Sequence, residues 1–350
     1  MSISAKQASL GAAKSAGADE FYTQLSDIER ELKHYRKHFQ GKVVFLNCDD
    51  PRVSNFFHYF SYNFEKLGLK KLIAACYKSQ DVDLFSTGES EQAIWLEYEG
   101  DKNGSGVPDL DEIGVNQFRG DGDFRSAESI ELLKQADIVV TNPPFSLFRE
   151  YVAQLTAYKK QFLIVGNLNA VTYKEIWPQI QDDRAWLGIT RTGTGSMWFR
   201  VNDDAPVKTG QKVDENGIRY QTVGNSAWFT NMDFPNRHEK RILYKTYDQR
   251  DYPTYDNYDG IEVSQVADIP ADYDGVMGVP ITFLGKYNPD QFEIVGIAKA
   301  PLGRPSKVYP RQIQVDSNGK RSVVTKLNDG PALKVGTPPN GKTYYEIDGE

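Results

Sequence analysis

Several classes of protein are excluded by what this 350-residue chain lacks. Its two cysteines, Cys48 and Cys76, lie in apolar runs that resemble strands, so we expect buried free thiols in a reducing compartment rather than a disulfide. No apolar run approaches the roughly 20 residues that span a bilayer, and the polar N-terminus lacks the apolar centre of a signal peptide. We therefore predict a cytoplasmic protein with no membrane partner, in which residues 1–20 form a flexible tail.

Familiar site motifs are missing as well. The chain contains neither the G-x-G-x-x-G fingerprint of dinucleotide-binding proteins nor the G-x-x-x-x-G-K-[ST] phosphate loop. None of its four histidines has metal-ligand spacing with a cysteine or an acidic residue, so no structural or catalytic metal is predicted. The missing fingerprint argues against a dinucleotide and leaves room for a smaller cofactor without a phosphate.

The net charge of -7 argues against a protein that binds polyanions through a uniformly basic surface. The charges are not evenly distributed, however. Residues 186–250 contain 10 lysines and arginines against 7 aspartates and glutamates. This locally basic part of the chain could face phosphate groups, and an ordinary solvated surface is the alternative.

Apolar strand-like runs alternate with helical patterns up to about residue 190, which indicates a doubly wound α/β sheet. A strand over residues 43–47, a helix over residues 55–67 and a strand over residues 71–77 form a β-α-β pattern, which implies parallel strands. Beyond that point glycine or proline recurs every few residues and the strand-like runs are short. We predict an α/β core over residues 21–190, a strand-rich region over residues 191–326 and a C-terminal tail or edge hairpin over residues 327–350.

The most specific stretch is a short apolar strand over residues 136–140 that runs into Asn142-Pro143-Pro144-Phe145. A proline has no N–H and a fixed φ, so these prolines can neither extend the strand nor enter a helix interior. Proline also keeps the residue before it out of helical geometry. The turn is therefore stiff, and it holds an amide and an aromatic ring at the carboxyl end of a strand, where open α/β sheets bind ligands.

Such a turn suits one chemistry in particular. The exocyclic amine of a nucleobase is a poor nucleophile because its lone pair is delocalised into the ring. The side-chain oxygen of Asn142 and the carbonyl of Pro143 are fixed acceptors for the two N–H groups, and they would stabilise the positive charge that develops on attack. Phe145 would stack on the extracted base. The alternative is a proline-bounded loop that only ends a buried strand.

Two other segments have the composition of a cofactor site. Asn47, Cys48 and Asp49 follow the first strand, where a nucleotide-like ligand commonly lies against the backbone. Asp123 and Phe124 combine a carboxylate for the amino group of an adenine moiety with an apolar face for its ring. S-adenosylmethionine suits these segments because it carries adenine and no phosphate. A solvated turn and an Asp/Gly turn with a buried phenylalanine are the alternatives.

Longer runs resemble the EcoRI-type family of DNA adenine-N6 methyltransferases. They are FLNCDDPRVSNFFHYFSYNFEKLGLKKLIAACYK near the start, TNPPFSLFREYV around the proline turn, VGNLNAVTYKEIWP after it and YDGVMGVPITFLGKYNPDQFEIVG near the end. The resemblance covers about residues 20–315. It implies a Rossmann-like methyltransferase sheet with a strand-rich target-recognition region in the C-terminal half. It also implies S-adenosylmethionine as methyl donor and double-stranded DNA as partner.

The resemblance extends to individual residues. Residues 142–145 match the catalytic motif of the family one by one, and Asp123-Phe124 resembles the adenine-contacting motif of related amino-methyltransferases. The implied reaction is direct methyl transfer to N6 of an adenine that has left the base stack. Candidates for contacts to phosphates or guanine edges are Arg191, Arg200, Arg219, Arg237, Lys240 and Arg241.

Two other functions stay open at this point. One is methyl transfer to RNA or to a protein glutamine, because Asn-Pro-Pro-aromatic turns serve those groups too. The other is DNA binding without catalysis on the same fold. The recognition sequence, the oligomeric state and the existence of a partner restriction endonuclease do not follow from the sequence.

Overall fold

The computed structural model describes residues 22–48, 54–77, 93–106, 108–109, 111–190, 197–201, 211–222, 225–337 and 340–347. The predicted N-terminal tail lies outside these residues. The chain divides into two compact units, Met1–Asn236 and Arg237–Glu350. This boundary separates two compact parts of the chain, whereas the predicted division between residues 190 and 191 rests on a change in the sequence pattern and stays a prediction.

The helices and strands of the described residues are these. The helices are α1 (Leu25–Leu32), α2 (Arg36–Phe39), α3 (Asn55–Tyr62), α4 (Phe64–Leu67), α5 (Ala127–Gln135), α6 (Phe148–Ala157) and α7 (Trp177–Gln181). The strands of the first unit are β1 (Tyr22–Thr23), β2 (Val43–Asn47), β3 (Lys71–Ala75), β4 (Ile94–Tyr98), β5 (Gly114–Gln117), β6 (Ile138–Thr141), β7 (Gln161–Asn167), β8 (Trp186–Leu187), β9 (Trp198–Arg200), β10 (Lys212–Val213), β11 (Arg219–Thr222) and β12 (Ser226–Thr230). The strands of the second unit are β13 (Ile261–Glu262), β14 (Met277–Gly278), β15 (Gln312–Val315), β16 (Arg321–Val324) and β17 (Tyr344–Ile347).

The first unit is built on an eight-stranded sheet in the order β5-β4-β3-β2-β6-β7-β12-β8. The inner strands β3, β2, β6 and β7 are parallel, and the pairings on either side of them are antiparallel. The antiparallel strand β4 lies between β5 and the inner strands, and the antiparallel strand β12 lies between β8 and the inner strands. β5 and β8 therefore run in the same direction as the inner strands. Every residue of β2 and β6 is buried, as expected of inner parallel strands. The predicted α/β class with a mostly parallel sheet is therefore confirmed.

The strand order reverses between β2 and β6. From β2 the chain passes through α3 and α4 to β3 on one side, and it later returns through α5 to β6 on the other side. The pairs Val44–Ile138 and Phe45–Val139 set β2 and β6 in register. The residues that follow these two strands therefore lie side by side at the sheet edge where open α/β sheets bind ligands.

The N-terminal helices pack into the core of the first unit. Ile28, Leu32, Tyr35 and Phe39 are fully buried, and their three- and four-residue spacing predicts such a buried face. They share one apolar cluster with side chains of β2 and β3. The sequence pattern of residues 24–38 is that of one helix with Leu25 on its buried face, whereas the structure divides the segment into α1 and α2 and exposes Leu25 in the first turn of α1.

The position of β12 differs from the expectation. By sequence, residues 227–231 are typical of a hairpin strand in the strand-rich region, whereas β12 pairs with β7 inside the central sheet. All five of its residues are buried. Trp228 packs edge-on against Phe56 with the ring centroids 6.1 Å apart. The apolar composition of β12 correctly indicates a buried strand. The sheet to which the strand belongs depends on residues far away in the sequence.

Smaller sheets complete the described part of the chain. The first unit contains an antiparallel sheet in the order β1-β9-β11-β10, and the second unit contains the antiparallel sheet β16-β15-β17 and the parallel pair β13–β14. Cys48 and Cys76 are free thiols as predicted, although they are half-buried rather than buried. Among the described residues, no helix is long and apolar enough to cross a membrane.

A buried carboxylate ties α1 to the segment that follows β8. Glu31 is fully buried. It accepts hydrogen bonds from the backbone N–H groups of Ile189 at 2.9 Å and Thr190 at 2.7 Å, and from the Thr190 hydroxyl. The Tyr35 hydroxyl also donates to it at 2.8 Å. Gly188 makes room for this carboxylate, because a Cβ there would lie 2.2 Å from Glu31 Oε1. The donors together satisfy a charge that would be costly to bury alone.

We expect Glu31→Ala to lower the free energy of unfolding by roughly 3 kcal/mol, because it leaves several buried donors without an acceptor. Urea denaturation followed by circular dichroism measures the change. Glu29→Ala, on the exposed side of the same helix, is the matched control and should change the free energy by less than about 0.5 kcal/mol. Equal stability of the two variants would contradict the anchoring role of Glu31.

Candidate active site

The proline turn is held between a buried strand and a helix. β6 is fully buried, and Asn142 directly after it is only 8% exposed. Pro143 is buried, while Pro144 and Phe145 are half-buried. A 3-10 turn over Phe145–Leu147 follows, closed by the N–H of Leu147 donating to the Pro144 carbonyl at 2.9 Å, and it leads into α6. The amide of Asn142 is thus fixed at the carboxyl end of β6, as the sequence predicts.

The end of β2 is bound to the end of β6. The Thr141 hydroxyl donates a hydrogen bond to the backbone carbonyl of Asn47. The side-chain oxygen of Asn47 accepts a hydrogen bond from the Tyr151 hydroxyl of α6. Asn47 and Tyr151 are both buried. One asparagine therefore connects β2, β6 and the helix that follows the proline turn, and its own amide is held in one orientation.

Cys48 has an unusual backbone conformation next to this contact. Its φ is +98°, which is rare for a residue other than glycine. Its N–H donates to the Ala75 carbonyl at the end of β3 at 3.2 Å. Strained backbone of this kind is concentrated at functional sites because the surrounding structure must stabilise it. Asp49, the next predicted cofactor residue, lies outside the described residues.

The loop that carries Asp123 and Phe124 lies against the end of β3. Gly122 has a φ of +74°, and a Cβ there would lie 2.5 Å from the Cys76 carbonyl oxygen and 2.8 Å from the Ala93 Cβ. Only glycine therefore permits this approach. The loop lies at the same edge of the sheet as the ends of β2 and β6, because the parallel strands β2, β3 and β6 all end there.

The two predicted adenine-binding residues have protein partners. Both oxygens of Asp123 bind the guanidinium of Arg125, at 2.6 Å and 2.9 Å. Arg125 also binds Glu150 at 2.8 Å, and these carboxylates raise its pKa. The ring of Phe124 is 9% exposed and packs edge-on against Tyr151 with the centroids 5.1 Å apart.

Tyr151 is a residue that the sequence analysis does not single out, although it contacts both predicted cofactor segments. Its hydroxyl binds Asn47 and its ring packs on Phe124. It lies on the buried side of α6 with Phe148 and Leu155. The helical spacing of these apolar residues indicates its burial, but nothing in the sequence shows which polar group its hydroxyl meets.

The predicted DNA contacts fall into two separate sets. Arg200 is exposed at the end of β9, and Arg219 is half-buried on the neighbouring strand β11. In the second unit Lys240 is exposed, whereas Arg237 is buried with its guanidinium 6.0 Å from the Tyr287 ring. Arg241 is half-buried, and burial lowers its pKa. Arg191 lies outside the described residues.

Comparison with known proteins identifies relatives along almost the whole chain. The family described as "Adenine-specific methyltransferase EcoRI" matches residues 9–345. The Type II methyltransferase M.EcoRI of Escherichia coli is 51% identical over 290 residues, which are 82% of this chain and 88% of that protein. M.MpnI of Mycoplasma pneumoniae is 39% identical over 297 residues, 83% of this chain and 85% of that protein.

A third relative, the Type II methyltransferase M.MgeORF184P of Mycoplasma genitalium, is 38% identical over 339 residues, 95% of each chain. No solved structure matches significantly. Because the family match spans residues 9–345 and these relatives are aligned over most of their own length, the predicted resemblance is confirmed. The chain belongs to the EcoRI family of adenine-specific methyltransferases.

Proposed function

We propose that this methyltransferase transfers the methyl group of S-adenosylmethionine to N6 of an adenine within a specific sequence of double-stranded DNA. The observation that carries the proposal is the stiff turn over residues 142–145, located where the strand order of the sheet reverses. The relatives support it, since they are Type II methyltransferases and the family is adenine-specific.

The turn supplies what an aromatic amine needs to react. The side-chain oxygen of Asn142 and the Pro143 carbonyl accept hydrogen bonds from the two N–H groups of the adenine. Both groups are buried and fixed by neighbouring prolines, so they need not reorganise as positive charge develops on N6. Phe145 is half-buried against the core and stacks on the base that has left the duplex. Direct attack requires no cysteine nucleophile.

The residues around the ends of β2 and β3 suit S-adenosylmethionine, which supplies an electrophilic methyl group when bound. We assign Asn47 and Cys48 to the start of the site, at the carboxyl end of β2, and include Asp49 from its place in the sequence alone. No phosphate loop is required for a cofactor without phosphate. We assign Asp123 to the adenine amino group because its carboxylate oxygens are acceptors, and the backbone N–H and guanidinium of Arg125 hold that carboxylate in place. Phe124 forms the apolar wall beside it.

A second surface of the first unit suits the DNA backbone. In β9, β10 and β11, Arg200 and Lys212 are both directly opposite Tyr220, so these three side chains share one side of the small sheet. The ammonium of Lys212 lies 3.8 Å from the ring centroid of Trp198. We call Trp198, Arg200, Lys212 and Tyr220 the basic face. Cations interleaved with aromatic rings are typical of surfaces that follow a nucleic acid strand.

The basic face lies near the candidate active site in the fold. The side-chain amide of Asn55 donates to the Thr23 carbonyl of β1 at 2.8 Å. Asn55 begins α3, the helix that follows the carboxyl end of β2. The face is not uniformly basic, because the Asp214 carboxylate accepts from the Tyr220 hydroxyl at 3.2 Å. We assign sequence readout to residues 191–326, with this face contributing contacts to phosphates.

We expect Asn142→Ala to lower the rate of methyl transfer at least about 100-fold, because it removes one fixed acceptor at the amine. Binding of S-adenosylmethionine, followed by isothermal titration calorimetry, should change less than about threefold. Asn142→Asp restores an acceptor oxygen and should recover part of the rate. Turnover of Asn142→Ala within about tenfold of the parent enzyme would contradict the role of Asn142.

The electrostatic part of DNA binding is tested by salt titration with a mixed-sequence duplex. We expect the combined change Arg200→Ala and Lys212→Ala to reduce the slope of log affinity against log salt by about 2, since each phosphate contact contributes roughly 0.9. Lys134→Ala is the control, because Lys134 lies on α5 before the amino end of β6 and pairs with Glu131 at 2.6 Å. An unchanged slope in the combined variant would exclude the basic face as a phosphate contact.

A further inference from the structure

The loop between β4 and β5 has a sequence pattern that the methyl transfer does not use. Residues 101–112 read DKNGSGVPDLDE. The twelve-residue calcium loop places oxygen ligands at positions 1, 3, 5, 7, 9 and 12, with glycine at position 6. Asp101, Asn103, Ser105, Asp109 and Glu112 occupy the five side-chain positions of this pattern. Position 6 is Gly106, and position 5 departs from the usual Asp or Asn by offering a hydroxyl oxygen.

The described residues of the loop include two turns that suit this pattern. Gly104 and Gly106 both have a φ of +76°, a conformation that favours glycine. The carboxylate of Asp101 accepts hydrogen bonds from the N–H groups of Gly104 at 2.6 Å, Ser105 at 3.2 Å and Gly106 at 2.7 Å. The first carboxylate is therefore held in place by N–H groups of the loop.

The last residue of the pattern is turned back toward the first. Glu112 Oε1 accepts hydrogen bonds from the N–H groups of Lys102 at 2.6 Å and Asn103 at 3.1 Å. Glu112 Oε2 is buried and has no hydrogen-bond partner among the described residues. A buried carboxylate oxygen without a donor is unfavourable unless a cation or a proton satisfies it. This oxygen is the observation, independent of the sequence pattern, that points to a ligand.

Charge in the loop favours a cation as that ligand. Over residues 99–112 the chain has five carboxylates and one cation, Lys102. Lys102 does not neutralise the ligand positions, since its ammonium pairs with Glu99 at 3.4 Å. The carboxylates of this segment therefore outnumber its cations, and the lysine pairs with Glu99 rather than with a ligand position.

We propose that residues 101–112 bind one Ca²⁺ ion through the side chains of Asp101, Asn103, Ser105, Asp109 and Glu112, and that the ion stabilises the β4–β5 hairpin at the edge of the central sheet. The described residues contain no group of three or more His, Cys, Asp or Glu already assembled at metal-binding distance. In this conformation the Asn103 amide instead donates to Asp109. Binding exchanges that contact for contacts to the ion.

The pattern favours Ca²⁺ over Mg²⁺. Glutamate at position 12 can bind through both oxygens, and the mixture of carboxylate, amide and hydroxyl ligands suits the seven-fold, flexible shell of Ca²⁺. Mg²⁺ requires a near-octahedral shell and keeps several waters. The site uses oxygen ligands only. The prediction of no metal rests on the spacing of histidines and cysteines, so it does not apply to a site of this kind. It is independent of the proposed methyl transfer.

The test uses the full-length protein freed of metal with EDTA. We expect calorimetric titration with CaCl₂ to show one site, and about 1 mM Ca²⁺ to raise the melting temperature by about 5 °C, with a smaller rise for Mg²⁺. Tb³⁺ used as a probe should gain luminescence from the nearby Tyr98 and lose it when Ca²⁺ is added. No Ca²⁺-dependent rise, or an equal rise with Mg²⁺, would overturn the proposal.

Matched variants separate a site from general charge screening. Glu112→Gln and Asp109→Asn each remove a charge at a ligand position and should weaken Ca²⁺ binding at least about tenfold. Asp111→Asn removes the same charge at position 11, which is exposed and not a ligand position, and should leave binding unchanged. An equal loss in all three variants would show charge screening and contradict the site. Circular dichroism shows whether each variant is folded. If Glu112→Gln does not fold, the affinity of Asp109→Asn for Ca²⁺ decides the question.

Discussion

The hydrogen bond between the Thr141 hydroxyl and the Asn47 carbonyl is the contact on which the candidate active site depends. It joins the carboxyl ends of β2 and β6 at the place where the strand order reverses. The proline turn after β6 is rigid by composition, so its position relative to the cofactor segment is set by this pairing of the two strand ends. Tyr151 reinforces the pairing from α6 through the side chain of Asn47. The turn proposed to bind the reacting amine and the segment proposed to hold the methyl donor are thus joined by buried contacts between the two strand ends.

The sequence predicts the inner part of the fold well and its edges less well. The spacing of Ile28, Leu32, Tyr35 and Phe39 and the apolar run of β2 are local patterns that directly reflect burial. The placement of β12 beside β7 is a contact between residues more than 50 positions apart, and no local pattern encodes it. The same holds for β4: its apolar run is typical of a strand, but no local pattern shows that it pairs antiparallel to β3.

In the candidate site, too, the features set by local sequence are predicted, and those set by tertiary packing are not. The turn over residues 142–145 is found from sequence because proline restricts the backbone at short range. The partners of the other residues arise from tertiary packing: Arg125 binds Asp123, Tyr151 covers Phe124, and Arg237 is buried beside an aromatic ring. Residue type predicts the chemistry available at a position, and packing decides whether that group faces a ligand or another side chain.

The central claim is methyl transfer to N6 of adenine in duplex DNA, and product analysis tests it most directly. The purified enzyme is incubated with S-adenosylmethionine carrying a labelled methyl group and a mixed-sequence duplex, and the digested nucleosides are identified by mass spectrometry. We predict label in N6-methyladenine alone, at positions that share one recognition sequence. Label in cytosine, or in RNA or protein with none in DNA, would contradict the account.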